Sequence, residues 1–134
     1  MTSKTAYCVC GQLQIEVSGN PLGVGVCHCL SCQKRTGSVF ATLAAFRPPF
    51  TVLGASTEYT RTGDRGSRFT FRFCPTCGST VFHTEEGNED VVMVAVGTFG
   101  DPDFAAPEDS VYDCRRHPWV KMPEGVSVFD KDPP

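Results

Sequence analysis

Three cysteines fall within six positions, at Cys27, Cys29 and Cys32, and basic residues and a Thr-Gly turn follow them. Cysteine thiolates are common zinc ligands. Zinc takes four protein ligands in a structural site and keeps one position open in a catalytic site. Three cysteines in one loop therefore predict a bound metal with one open position, unless another part of the chain fills it.

Four further cysteines form two close pairs, Cys8 with Cys10 and Cys74 with Cys77. Together they make a complete tetrahedral set that would close a loop spanning most of the chain. Such a zinc contributes folding free energy, because the unfolded chain has no site. The C-P-x-C-G spacing between two predicted strands is typical of a zinc knuckle. A redox C-x-x-C is the alternative, but that motif should open a helix.

Length and composition predict a single domain over residues 1–134, with a core at about 8–120 and a tail at 121–134. The net charge is −3, which argues against a broad nucleic-acid surface. No apolar run is long enough for a membrane span, and the first residues lack the apolar region of a secretory signal. We therefore expect a cytoplasmic protein, in which closely spaced cysteines bind metal rather than form disulfides.

Alternation of apolar and polar residues predicts an all-β, mainly antiparallel fold with little helix. A short helical turn is expected only after Cys32, and the chain from 97 to 109 is expected to be a loop. The stripe of Phe69, Phe71 and Phe73 is expected to lie in the core. The predicted strands cover residues 13–17, 22–26, 38–46, 50–53, 57–61, 68–73, 79–83, 91–96 and 110–114.

The charge of the three-cysteine site bears on its chemistry. Three thiolates on a divalent cation leave the complex at −1, which makes zinc a weaker Lewis acid towards water. Such a zinc suits a fourth soft ligand, for example a substrate thiol held as thiolate. We therefore expect a thiol to bind at Cys27, Cys29 and Cys32 and to attack a small electrophile beside it. A second structural zinc, or thiols without metal, are the alternatives.

The ordered motifs resemble those of the glutathione-dependent formaldehyde-activating enzyme family, which shares its domain with centromere protein V. The resemblance implies a β-tent fold and two zinc ions, a structural one at Cys8, Cys10, Cys74 and Cys77 and a catalytic one at Cys27, Cys29 and Cys32. It also implies addition of glutathione to formaldehyde, a carbon–sulfur lyase activity in reverse. The matching segments are C-V-C-G from Cys8, V-C-H-C-L-S-C from Val26, F-C-P-T-C-G-S from Phe73 and H-P-W-V from His117.

The segment from Tyr112 to Pro118 departs from the family wording and places Cys114 and His117 near the expected rim of the site. Either residue would close the second zinc if it filled the open position. The main alternative function is a non-catalytic zinc module that binds protein or nucleic acid, although the acidic tail lacks the basic residues expected of a chromatin binder.

The histidines, Cys114 and the basic side chains can be explained without a role in catalysis or metal binding. His28 is expected to point outward, and His83 and His117 to be satisfied by local hydrogen bonds. Cys114 is expected to be a small, partly buried hydrophobic residue. A set of basic side chains could form a patch for the carboxylates of a peptide thiol, or simply a solvated surface. This set is Lys34, Arg35, Arg61, Arg65, Arg68 and Arg72.

Overall fold

The computed structural model describes residues 2–132, so Pro133 and Pro134 of the predicted tail lie outside the described residues. No helix within the described range is long and apolar enough to cross a membrane. The strands are β1 Ser3–Tyr7, β2 Gln14–Ser18, β3 Gly23–Cys27, β4 Ala41–Phe46, β5 Phe50–Leu53, β6 Thr57–Thr62, β7 Arg68–Phe73, β8 Thr80–Glu85, β9 Val92–Ala95, β10 Asp109–Val111 and β11 Ser127–Val128. The helix α1 spans Leu30–Thr36, and 3-10 helices span Val96–Phe99 and Asp113–Arg115.

The strands form two sheets. One has three strands in the order β1-β2-β5, and the other has eight in the order β11-β10-β3-β4-β9-β8-β7-β6. The pairs are antiparallel except at one end of the larger sheet, where β10 runs parallel to both β3 and β11. The predicted all-β, mainly antiparallel fold with little helix is confirmed.

A single buried cluster joins the two sheets. The small sheet contributes Ile15 and Val17, and the large sheet contributes Phe46, Val92 and Val94, all exposed by 1% or less. Because side chains alternate across a strand, residues one position away on the large sheet point to its opposite face. That opposite face lies outside the buried cluster between the sheets and is available for a site.

Most predicted strands are found with small shifts of their bounds, and β5 and β7 match their predicted ranges. Strand β1 was not predicted, because Ser3–Tyr7 is largely polar and buries only Ala6 fully. The prediction of strand structure through 112–114 was wrong: β10 ends at Val111, because Tyr112 has a φ of 56° and the chain turns into a 3-10 helix. The 3-10 helix Val96–Phe99 also replaces the start of the predicted loop.

Truncation of Phe46 tests the common core. The side chain is fully buried, lies opposite Val92 in the sheet, and has its ring centroid 6.0 Å from that of Phe99. We expect Phe46→Ala to lower the free energy of unfolding by about 3–5 kcal/mol, measured by urea denaturation. The control is Leu53→Ala on β5, where the side chain is 57% exposed; its effect should stay within about 0.5 kcal/mol. Equal unfolding midpoints for the two variants would contradict this description of the core.

Candidate functional site

The first thiol cluster lies where the two sheets meet. Cys8 and Cys10 follow β1 of the small sheet, and Cys74 and Cys77 form the turn between β7 and β8 of the large sheet. The four sulfur atoms all lie within 4.8 Å of one another. The Sγ atom of Cys10 is 3.6 Å from that of Cys8 and 3.7 Å from that of Cys74. Four soft donors at this spacing are suited to one tetrahedral zinc.

Backbone amides point at these sulfurs. The N–H of Leu13 donates to Cys8 Sγ at 3.3 Å, and the N–H groups of Thr76 and Cys77 donate to Cys74 Sγ at 3.3 and 3.4 Å. Such donors stabilise a sulfur in its thiolate form. The amides of these turns therefore favour the negatively charged form of the cysteines, which is the form that binds a cation.

Gln12 adds a side-chain donor that the sequence did not single out. Its Nε2 donates to Cys74 Sγ at 3.0 Å and to the Ala55 carbonyl at 2.7 Å, and its Oε1 accepts from the Ala55 N–H at 2.9 Å. Burial disfavours the Cys74 thiolate, but Gln12 and the adjacent amides outweigh it and lower the pKa of Cys74 to about 7. Hydrogen bonding to Ser79 lowers the pKa of Cys77 to about 5.

The second cluster is formed by the end of β3 and the start of α1. Cys27 ends β3, Cys29 caps the helix by accepting from the Cys32 N–H at 3.3 Å, and Cys32 lies in the first turn. Their sulfurs all lie within 4.8 Å of one another, and no other Cys, His, Asp or Glu atom in residues 2–132 joins the group. Hydrogen bonds from the Cys27 and Cys32 thiols lower the pKa of Cys29 to about 2.

The prediction that His28 points outward was wrong. Its side chain is fully buried, and its Nε2 lies 2.9 Å from the Oγ of the equally buried Ser110 on β10. Its backbone N–H also donates to the Val111 carbonyl at 3.1 Å. Burial lowers the pKa of His28. These hydrogen bonds therefore hold the loop that contains the cysteines against β10, and the His28 side chain does not face solvent.

Gln33 makes a second connection between the loop and the chain after β10. Its Nε2 donates to the His28 carbonyl at 2.8 Å and to the Arg115 carbonyl at 3.2 Å. Its Oε1 lies 3.0 Å from His117 Nε2. His117 is thus satisfied by a local hydrogen bond, as predicted, and it is not part of the thiol group.

A cavity of about 730 Å³ opens over the second cluster. It lies on the face of the large sheet opposite the core, and Cys27, Cys29 and Cys32 all line it. This volume is typical of small-molecule sites. Its other lining residues include Leu30, Leu43, Arg61, Asp64, Arg65, Phe69, Phe71, His83, Glu85, Tyr112, Cys114, Arg115, Lys131 and Asp132.

One wall of the cavity is aromatic. The His83 ring centroid lies 5.9 Å from that of Phe69 and 4.6 Å from that of Phe71. Burial, together with the positive charges of Arg35 and Arg61, lowers the pKa of His83 to about 3, so its ring is neutral. The predicted core stripe is borne out for Phe71, which is 2% exposed, whereas Phe69 and Phe73 are half-buried. Phe69 and Phe71 line this cavity and lie outside the cluster between the sheets.

The six basic side chains, for which a carboxylate-binding patch and a solvated surface were both considered, do not lie on one surface. The guanidinium of Arg35 lies 4.6 Å from the Phe71 centroid, and that of Arg61 lies 5.4 and 5.5 Å from the centroids of Phe69 and Phe71. Two other members are bound elsewhere: Arg68 pairs with Glu86 at 3.6 Å and Arg72 with Glu58 at 2.7 Å. Lys34 is exposed on α1.

The far rim joins the β6–β7 turn to the C-terminal segment. The Tyr112 hydroxyl donates to Asp64 Oδ2 at 2.9 Å and lies 3.4 Å from Asp132 Oδ2. Arg65 Nε is 4.0 Å from that same Asp132 carboxylate. Cys114 faces this cavity and is exposed, so the prediction that it is partly buried was wrong. The sequence had placed the segment that contains Tyr112 and Cys114 near the rim, but no local signal indicated Asp64 or Asp132, because these residues meet Tyr112 only in the folded chain.

The fold and part of the sequence have a counterpart among solved structures. The crystal structure of a Rhodobacter sphaeroides protein, a structural genomics target, shares 29% identity with this chain, covers 70% of this chain and 85% of its own, and has a TM-score of 0.53. No curated protein matches the sequence. The model of the family described as glutathione-dependent formaldehyde-activating enzyme matches residues 3–115, which include all seven clustered cysteines and Cys114. The chain therefore belongs to the glutathione-dependent formaldehyde-activating enzyme family.

Proposed function

We propose that the protein is a zinc-dependent carbon–sulfur lyase-like enzyme that adds a glutathione-like thiol to a small aldehyde such as formaldehyde. The main support is the group formed by Cys27, Cys29 and Cys32, which has no fourth protein ligand among the described residues and borders a cavity of about 730 Å³. The family description names both glutathione and formaldehyde. The eight cysteines are free thiols, which suits a reducing compartment such as the cytoplasm.

Two zinc ions per chain fit the two donor sets. Cys8, Cys10, Cys74 and Cys77 would hold the structural ion, and Cys27, Cys29 and Cys32 would hold the second. When bound at the second site, zinc would keep a substrate thiol in its thiolate form near neutral pH. The amide groups that donate to Cys8 and Cys74 support the assignment of an ion to the four-cysteine cluster, because they stabilise negatively charged sulfur.

The residues of the chain would bind and orient the substrates. Phe69, Phe71 and the neutral His83 provide a wall that excludes water from one side of the cavity. The rim offers both signs of charge, for example Lys131 and Asp132, which suits a peptide with carboxylates and an ammonium group.

The proposed reaction is an addition. The thiol sulfur attacks the carbonyl carbon, a carbon–sulfur bond forms, and the carbonyl π bond opens. The thiol proton ends on the former carbonyl oxygen, which gives an S-hydroxymethyl product. Holding both reactants in one cavity favours this step, because a bimolecular encounter becomes an intramolecular one.

The two clusters should respond differently to loss of one cysteine. We expect Cys74→Ala to unfold the protein or lower its melting temperature severely, because it removes a ligand from the junction of the sheets. Cys32→Ser should leave the fold largely intact and lower the zinc content from two to one per chain. Thermal melts and elemental analysis measure both effects, with Cys114→Ser as the control that keeps both metals. A stable, folded Cys74→Ala protein would contradict the structural assignment.

Zinc content and its response to thiol test the proposed reaction directly. Protein purified without chelator or histidine tag should contain two zinc ions per chain by elemental analysis. Added glutathione should change the X-ray absorption spectrum by adding one sulfur ligand at the second site. With ¹³C-formaldehyde present, NMR should show faster formation of the S-hydroxymethyl adduct than without protein. One zinc per chain, indifferent to thiol, would contradict the proposal.

A further inference from the structure

Two guanidinium groups lie next to the three-thiol group without a carboxylate partner. Arg35 Nη2 is 3.8 Å from Cys32 Sγ, and Arg35 Nε is buried without a hydrogen-bond partner. Arg61 lines the same cavity as Cys29. Within residues 2–132, neither arginine forms an ion pair with Asp or Glu. Both positive charges lie close to Phe71. Partly buried charges of this kind require a compensating anion.

The two thiol clusters differ in what surrounds their sulfurs. Three backbone amides and Gln12 donate to Cys8 and Cys74 of the four-thiol cluster. At the three-thiol group, the backbone amides of Cys29 and Cys32 donate to sulfur, and the guanidinium of Arg35 joins them. Negative charge is therefore balanced by neutral donors at one cluster, and by neutral donors together with full positive charges at the other.

We propose that Arg35 and Arg61 set the charge of the Cys27, Cys29 and Cys32 site so that its fourth position takes an anionic sulfur in preference to a neutral ligand. The inference rests on the proposed function, because it requires a divalent metal on these three thiolates. Such a complex has a formal charge of −1, and a fourth thiolate makes it −2. The two guanidinium groups neutralise the thiolate-bound form, whereas a neutral ligand leaves one positive charge uncompensated.

The position of Arg35 shows that this role is distinct from binding a substrate carboxylate. Arg61 lines the cavity, but Arg35 lies outside its lining, between Cys32 and Phe71. From that position, the positive charge of Arg35 would attract a metal-bound thiolate by Coulomb interaction across the site. Arg115 and Lys131 at the cavity lining are the cations that would take carboxylates of the substrate.

Ligand affinity in the cobalt(II)-loaded full-length chain tests the proposal, because thiolate and imidazole binding change the visible absorption of the metal. The variants are Arg35→Gln and Arg61→Gln, each with its Lys counterpart, and the probes are 2-mercaptoethanol, glutathione and imidazole at one fixed pH. We expect each Gln variant to bind 2-mercaptoethanol about tenfold more weakly and imidazole no more weakly, and each Lys variant to recover most of the loss. Arg68→Gln, whose side chain pairs with Glu86 away from the cavity, should behave as wild type.

Several outcomes would overturn the proposal. Equal changes for both probes would show that the arginines only shape the site, and unchanged thiol affinity would show that their charge is irrelevant. Loss of glutathione binding without loss of 2-mercaptoethanol binding would assign Arg61 to a substrate carboxylate instead. A wild-type protein whose cobalt spectrum ignores every thiol would remove the proposed function as well. Arg61 is only half-buried, so its variants keep the test available if Arg35→Gln does not fold.

Discussion

The convergence of four thiols from two sheets is the constraint on which the rest of the structure depends. Cys8 and Cys10 leave the small sheet, while Cys74 and Cys77 belong to a turn of the large one. Their sulfurs can approach within 4.8 Å only if the two sheets meet at one relative position. Gln12 strengthens this junction, because its amide also binds the Ala55 backbone between β5 and β6. The junction thereby fixes the large sheet, whose other face forms the cavity.

Side chains along the strands of the large sheet alternate between a face that packs into the core and a face that lines the cavity. On β8 and β9, Phe82 lies opposite Val94 in the core, and His83 lies opposite Met93 on the cavity face. A shift of register by one residue would exchange these faces. The buried apolar residues therefore also fix the direction of His83. This arrangement explains why an aromatic stripe that looks like core material can line a functional site.

Cysteine spacing was the most informative part of the sequence. Ligand spacings such as C-x-C-x-x-C are short-range, so they identify which thiols can meet before the fold is known. The grouping of Cys74 and Cys77 with Cys8 and Cys10 could also be inferred, because two pairs complete one tetrahedral set. Alternation likewise predicted most strands and the fold class. Cysteine spacing and apolar–polar alternation are both patterns of residues that lie close together in the sequence.

The direction of single side chains could not be inferred in the same way. His28 looked exposed because it lies between two candidate ligands, yet the parallel strand β10 covers it and supplies Ser110 as its partner. That pairing joins positions 82 residues apart. The rim has the same property, since Asp64 and Asp132 approach one Tyr112 hydroxyl from distant segments. Contacts between segments far apart in the sequence, and not local pattern, decided both cases.

The segment from Cys114 to His117 borders the cavity and the cysteine loop without joining either thiol group. His117 is hydrogen-bonded to the Gln33 side chain, which also donates to the His28 carbonyl. The segment therefore stabilises the position of the cysteine loop. Cys114 faces the cavity but lies outside both thiol groups. Beyond residue 115, where the family match ends, the chain still contributes Lys131 and Asp132 to the cavity lining. The family-matched part thus supplies the candidate ligands, while the C-terminal segment adds two charged side chains to the cavity lining.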